Sequence, residues 1–142
     1  MTNTPIGRHI ILDLYDVSIE NLTILNSTDT TKGLWDEYIN RWFTESKVTC
    51  LGQLWHDFDK SGAFTVLYLL SESHMSIHTW PERRYVAIDL FTCGDCDVVY
   101  IIEKLEEFFE PGYKKITELT RGDLQALTEI KHDDISECSR EY

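Results

Sequence analysis

Four segments in the middle of the chain have the composition of strands, and the connections between them are too short to hold a helix. Parallel neighbours in a sheet need a crossover of a dozen or more residues, whereas antiparallel neighbours need only a tight turn. Residues 59–62 are rich in turn formers, and Pro81–Arg83 marks a second bend. We therefore predict an antiparallel sheet. Its central strand segments are 47–58, 64–70, 75–80 and 84–92.

The flanking regions add two further strands and two helices. Apolar side chains alternate in the predicted strands and recur at helical spacing in the predicted helices. The strand segments are 9–15 and 113–119, and the helical segments are 34–43 and 97–109. The predicted class is α+β, a two-layer α/β sandwich in which a mainly antiparallel sheet carries both helices on one face.

Polar and helix-breaking residues set the expected boundaries of these elements. Asp95 or Asp97 is the expected N-cap of the second helix, and Pro111 follows its last turn. Residues 26–32 are rich in Ser, Thr and Asp and are predicted to be a loop. The polar C-terminal tail is predicted to hold a short helix at 124–130.

The balance of charged and apolar residues disfavours several classes of protein. With 142 residues and 42% hydrophobic side chains, the chain fits one domain, 1–142, with one core. The net charge of −12 disfavours binding to nucleic acid or to anionic membranes. The first residues resemble neither a signal peptide nor a membrane span, and the four cysteines show no disulfide-framework spacing. We expect a cytoplasmic protein with free thiols.

The segment 71–82 concentrates side chains that can do chemistry. A serine hydrolase is disfavoured because Ser73 lacks the Gly-x-Ser-x-Gly setting and no strand-to-helix turn follows it. His74, His78 and Glu82 have the four-residue spacing of metal ligands on a helix. The local composition favours a strand instead, and on a strand such residues lie about 13 Å apart. We therefore expect no metal.

Two cysteines follow this segment, and their spacing alone does not assign a function. Cys93 and Cys96 have the C-x-x-C spacing of zinc and redox sites, but no second such pair completes a tetrahedral site. Taken singly, each residue fits an ordinary strand pair, with Ser73 in solvent, His78 packed on Trp80 and Cys93 in the core. The residues must therefore be judged together.

Taken together, several motifs resemble those of the small prokaryotic S-adenosylmethionine decarboxylases, which process themselves and depend on a pyruvoyl group. The longest run, residues 71–82, reads Ser-Glu-Ser-His-Met-Ser-Ile-His-Thr-Trp-Pro-Glu, and residues 88–94 read Ile-Asp-Leu-Phe-Thr-Cys-Gly. The shorter matches are Gly7-Arg8-His9, Trp55-His56-Asp57-Phe58 and Thr65. The resemblance covers most of the chain and implies the small α/β sandwich of that family.

The resemblance implies that the chain cuts itself between Glu72 and Ser73, which would give fragments 1–72 and 73–142. The Ser73 hydroxyl would attack the Glu72 carbonyl, and the resulting ester would break by elimination to leave a pyruvoyl group. This covalent cofactor would form a Schiff base with the substrate amine and take up the electrons released with carbon dioxide. No separate cofactor would be needed.

Three further residues acquire roles through the same resemblance. His78 would assist the elimination step of processing. Thr65 stands where the family usually has a serine, and its hydroxyl would aid the acyl shift. Cys93 would be the general acid that returns a proton to the α-carbon. Together with Ser73, His78 and Cys93 form the predicted catalytic set.

The implied substrate is S-adenosylmethionine, and the implied product is the aminopropyl donor of spermidine synthesis. Phe58 and His78 would stack on the adenine, Glu82 would bind the ribose hydroxyls and Trp80 would line the pocket. The family's active sites lie at a subunit interface, so we expect a homodimer of processed protomers. Two alternatives are a pyruvoyl-dependent L-ornithine or L-arginine decarboxylase on the same scaffold, and an uncut, non-catalytic partner protein.

Overall fold

The computed structural model of the chain describes residues 5–24, 29–59 and 61–123. Six strands, three α-helices and one 3-10 turn lie within these ranges. In chain order they are β1 (Gly7–Tyr15), α1 (Ile19–Ile24), α2 (Asp29–Glu45), β2 (Cys50–Asp57), β3 (Phe64–Leu70), β4 (Ser73–Trp80), the 3-10 turn (Pro81–Arg83), β5 (Tyr85–Cys93), α3 (Val98–Phe109) and β6 (Tyr113–Arg121). Among the described helices, none has the length and apolar character that crossing a membrane requires.

All neighbouring strands run antiparallel, and their order across the sheet is β2-β3-β4-β5-β1-β6. The four strands joined by short connections lie side by side, as predicted from those connections. β1 inserts between β5 and β6, so the first strand of the chain pairs with the last two. The predicted α+β class with an antiparallel sheet is confirmed.

One hydrophobic core lies between the sheet and the helices. Alternate strand positions supply one side of it, such as the fully buried Leu12 and Ile77, and the helices supply residues such as Trp35 and Leu105. Trp35 Nε1 donates a hydrogen bond to Tyr68 Oη at 2.8 Å, which satisfies both polar groups in the core. The side chains between these strand positions project from the other face, which we call the open face.

Two predictions about the helices are wrong. The helix α1 was not expected, because its six residues include three β-branched ones. Leu22, which is fully buried, anchors it in the core. α2 begins at Asp29, so residues 29–32 are helical although their polar composition predicted a loop. The sheet therefore carries three helices rather than two. Residues 26–28 of the expected loop and the expected helix at 124–130 lie outside the described residues.

β2 begins at Cys50, later than the predicted start at Lys47. Lys47 has a φ of 61°, the left-handed conformation that commonly ends a helix. The backbone N–H of Val48 donates to the carbonyl of Phe43 at 2.8 Å, which closes the last turn of α2. Residues 47–49 therefore form the connection that follows α2 and are not part of the strand.

The structure also decides which aspartate caps α3. The carboxylate of Asp97 accepts a hydrogen bond from the backbone N–H of Tyr100 at 3.1 Å. We expect Asp97→Ala to lower the free energy of unfolding by about 1 kcal/mol, because an N–H at the helix start loses its partner. Asp95 is exposed, and Asp95→Ala should change the same quantity by less than about 0.5 kcal/mol. Urea denaturation measures both; equal losses would contradict the assignment.

Candidate active site

Three of the predicted residues, Glu72, Ser73 and Cys93, lie together at the β3–β4 turn, and we call them the turn cluster. The backbone N–H of Cys93 donates a hydrogen bond to the carbonyl oxygen of Glu72 at 2.9 Å. The Glu72 carboxylate accepts a hydrogen bond from the backbone N–H of Thr49 at 3.0 Å. The N–H of Ser71 donates to the Thr49 carbonyl at 2.8 Å. Glu72 is therefore held through both its main chain and its side chain.

Ser73 has a strained backbone. Its φ of 148° lies at positive values that residues other than glycine rarely adopt. Such a conformation costs of order 1–3 kcal/mol and persists only where surrounding contacts impose it. Here the contacts of Glu72 on one side and the β4 ladder on the other impose it. The strained backbone of Ser73 and the hydrogen bond from the Cys93 N–H both act on the peptide bond between Glu72 and Ser73. Both favour attack on the Glu72 carbonyl.

Thr65, His78 and Trp80 lie on the open face toward the other end of β4, and we call them the imidazole cluster. The β3–β4 register pairs Thr65 with His78, and Thr65 Oγ1 lies 2.9 Å from His78 Nδ1. The ring centroid of Trp80 lies 6.1 Å from that of the imidazole. Because the threonine hydroxyl engages Nδ1, Nε2 is the ring nitrogen left to contact a substrate.

Phe58 and Glu82 flank the imidazole cluster. Phe58 follows β2, and 65% of its surface is exposed. Its ring packs against that of His56 with centroids 4.8 Å apart, and His56 is the cross-strand neighbour of Thr65. Glu82 lies in the 3-10 turn just after Trp80 and is exposed. An exposed aromatic ring, an imidazole and a carboxylate therefore border one end of the sheet.

The two clusters are too far apart to form one site within a single chain. Ser73 and His78 are five residues apart on β4, which corresponds to about 16 Å. Ser73 also pairs with the buried Thr92 on the helix side of the sheet, whereas His78 lies on the open face. Proton transfer requires a heavy-atom separation of about 3 Å. The structure brings the Glu72 carbonyl to the Cys93 N–H and His78 to Thr65, but it does not bring Ser73 to His78.

Sequence reasoning missed residues that support both clusters. Thr49 anchors Glu72 across the loop before β2, a contact for which the local sequence has no signal. Tyr85 stacks on Trp80 with ring centroids 5.2 Å apart, and its hydroxyl donates to the Asp13 carboxylate at 2.5 Å. Burial, and then the hydrogen bond to Asp13, raise the pKa of the Tyr85 hydroxyl above its ordinary value. Strand alternation predicts the face that Tyr85 occupies, but only the β1–β5 pairing brings it to Asp13.

Cavity size does not identify the site. A cavity of about 680 Å³ lies among the helices, lined in part by Trp42 and Phe108, and contains none of the predicted residues. A smaller one of about 370 Å³, lined in part by Arg8, Thr92 and Gly94, lies beside the turn cluster. We assign the site from its chemistry and not from volume. In the described ranges, no three His, Cys, Asp or Glu side chains are grouped so that they could hold a metal ion.

Comparison with known sequences gives consistent matches. A family model described as S-adenosylmethionine decarboxylase matches residues 8–122. The S-adenosylmethionine decarboxylase proenzyme of Archaeoglobus fulgidus is 36% identical over 119 residues, covering 82% of this chain and 98% of that protein. The proenzyme of Clostridium kluyveri is 33% identical over 141 residues, with coverage of 92% and 98%. The proenzyme of Parasynechococcus marenigrum is 41% identical over 93 residues; this match spans 63% of this chain and 64%, less than two thirds, of the relative.

A solved structure supports the same grouping at the level of fold. The crystal structure of the adenosylmethionine decarboxylase from Aquifex aeolicus superposes with a TM-score of 0.67 at 24% identity. The superposition covers 84% of this chain and 92% of that chain. From the extent of the family match and the coverage of the relatives, the chain belongs to the S-adenosylmethionine decarboxylase family.

Proposed function

We propose that this chain cuts itself between Glu72 and Ser73 and then decarboxylates S-adenosylmethionine, the reaction for which its relatives are named. The observation that carries the proposal is the peptide bond between these residues, where a strained serine follows a carbonyl that is hydrogen-bonded to the Cys93 N–H. An acyl shift from nitrogen to oxygen needs a hydroxyl next to a polarised carbonyl. The residues present therefore fit a pyruvoyl group made from Ser73.

Self-processing begins when Ser73 Oγ bonds to the Glu72 carbonyl carbon and the C–N bond breaks. The hydroxyl proton passes to the freed nitrogen, so that an ester and an amine replace the amide. The Cys93 N–H stabilises the negative charge that develops on the carbonyl oxygen. A base then removes the Cα proton of residue 73, the Cβ–Oγ bond breaks, and Glu72 leaves as a carboxylate. Water finally displaces the nitrogen as ammonia, which leaves a ketone at the start of fragment 73–142.

After processing, the chain's own residues bind the substrate and manage its protons, while the pyruvoyl group supplies an electron sink for the pair released with carbon dioxide. Phe58 and His78 stack on the adenine, Trp80 lines the pocket, and Glu82 accepts hydrogen bonds from the ribose hydroxyls. Cys93, beside the new chain start, returns a proton to the α-carbon. The net charge of −12 favours a cationic substrate over an anionic one.

The same assignment calls for a homodimer. The elimination needs a base, and His78, oriented by Thr65, lies about 16 Å from Ser73 in its own chain. A second copy can bring its imidazole cluster to this chain's turn cluster and receive the reciprocal contact. Leu67 and Leu69 on the open face are 47% and 60% exposed, and a second sheet packed there would bury them. A symmetric pair then holds two complete sites.

We also place the protein in the cytoplasm. Cys50, Cys93 and Cys96 carry free thiols, which suits a reducing compartment. The product is the aminopropyl donor that spermidine synthesis consumes.

Replacement of the Ser73 hydroxyl tests self-processing. Denaturing mass spectrometry of the native protein should show fragments 1–72 and 73–142, the second without a free amine at its start. Ser73→Ala should remain at the full-length mass, because no oxygen can receive the acyl group. The neighbouring Ser71→Ala should be cut as the native chain is. An uncut native chain, or a cut Ser73→Ala chain, would overturn the assignment of this bond.

Truncation of Phe58 tests the nucleoside pocket. If the ring stacks on adenine, Phe58→Ala should weaken binding by about 1–3 kcal/mol, and KM should rise about 5- to 150-fold with little change in kcat. Tyr113 is a matched control, since it is 67% exposed but lies on β6 at the opposite edge of the sheet. Steady-state kinetics of Phe58→Ala and Tyr113→Ala measure the difference. An unchanged KM in Phe58→Ala would contradict the stacking role.

Mixed dimers test whether two copies share the site. Ser73→Ala keeps the imidazole cluster, and His78→Ala keeps the hydroxyl of the turn cluster. Each variant alone should stay at the full-length mass, whereas co-expression should yield cleavage of the His78→Ala chain, because its partner supplies the imidazole. Tagging one chain lets mass spectrometry assign the fragments. If native mass spectrometry detects mixed dimers and neither chain is cut, the shared site is wrong.

A further inference from the structure

Cys96 is a thiol that the proposed reaction does not use, although it completes a C-x-x-C motif with Cys93. The structure turns it back toward that residue: Cys96 Sγ lies 3.4 Å from the carbonyl oxygen of Cys93 and donates a weak hydrogen bond to it. Both side chains are half-buried, and both thiols are free.

The bend between the two cysteines is open around Gly94. Gly94 adopts a φ of +80°, and among the described residues no atom beyond its two chain neighbours lies within 4 Å of the position that a Cβ would take there. Gly94 and Asp95 are both exposed. A disulfide requires a Cα separation of about 4.4–6.8 Å, which residues three apart across a bend of this kind can reach. The exposed bend also gives a small oxidant access to both thiols.

We propose that Cys93 and Cys96 form a reversible disulfide that switches off the decarboxylase. The oxidant is a small disulfide of the glutathione class. One cysteine thiolate attacks it, forms a mixed disulfide and releases one glutathione thiol; the second cysteine thiolate then displaces the other. The protein loses two electrons and two protons, and the oxidant gains them as two thiols. In a cytoplasmic protein such a bond is transient, as redox-sensing disulfides are.

The loss of activity follows from the role of Cys93 and so rests on the proposed function. A sulfur held in a disulfide carries no proton, so Cys93 can no longer return one to the substrate α-carbon. The backbone N–H of Cys93 is unaffected by the bond itself, and it remains the donor to the Glu72 carbonyl. Oxidation therefore blocks decarboxylation and not processing, because it removes the thiol proton that Cys93 would donate.

The test equilibrates the processed full-length enzyme with glutathione buffers from fully reduced to fully oxidised, blocks the remaining thiols and analyses the peptide that contains both cysteines. The expected peptide in the oxidised buffer is lighter by two hydrogens, with a decarboxylation rate lower by about 100-fold or more. A reducing agent should restore both values together. Cys96→Ser should show no two-hydrogen loss in this peptide, because no second thiol can displace glutathione from a mixed disulfide. Cys50→Ser, which changes a thiol in β2, should switch as the native enzyme does.

The two readouts separate the disulfide from the decarboxylase activity. Peptide mass reports the bond even if the enzyme proves inactive on S-adenosylmethionine, so a failure of the proposed function does not hide it. A peptide that carries only mixed glutathione adducts, or no modification, in the oxidised buffer would overturn the proposal. So would an internal disulfide that leaves the decarboxylation rate unchanged.

Discussion

The antiparallel ladder between β4 and its neighbours is the interaction on which the candidate site depends. Its register sets the backbone N–H of Cys93 against the carbonyl of Glu72. A slip of β4 by one residue would break this contact and carry His78 and Trp80 from the open face into the core. Thr79 opposes such a slip, because its buried hydroxyl donates to the Gly62 carbonyl at 2.6 Å and accepts from the Phe64 N–H at 2.9 Å.

β4 also separates Ser73 and His78, the two groups that the proposed processing requires. Because β4 is extended, it holds Ser73 and His78 at opposite ends in every copy of the chain. The monomer can therefore fold with a strained, polarised peptide bond while the base proposed for its cleavage, His78, lies far from it. Under the proposed homodimer, association supplies that base, and cleavage then releases the strain at Ser73. Because β4 keeps Ser73 and His78 apart within one chain, the chain would fold first, then pair with a second copy, and only then form its cofactor.

The sequence predicted the elements whose signals are local. Hairpin-length connections predicted the antiparallel strands, and apolar spacing predicted α3 with its N-cap at one of two aspartates. The missed features depend on distant contacts. α1 is anchored by Leu22 in a core that its composition does not reveal, and Lys47 ends α2 through a backbone angle. In the site, the motif identified Ser73 and Glu72, but neither the strain nor the Thr49 anchor appears in it, since both arise when β2, β4 and β5 meet.

The most direct test of the proposed function is carbon dioxide release from purified protein given carboxyl-labelled S-adenosylmethionine, L-ornithine and L-arginine in parallel. We expect release from S-adenosylmethionine at a kcat/KM well above those of the two amino acids, because Phe58 and Glu82, in their proposed roles, bind the adenine and the ribose that the two amino acids lack. Preferential release from ornithine or arginine would keep the pyruvoyl chemistry and contradict the substrate. No release from any of the three, by protein that mass spectrometry shows to be cut, would contradict the decarboxylase assignment itself.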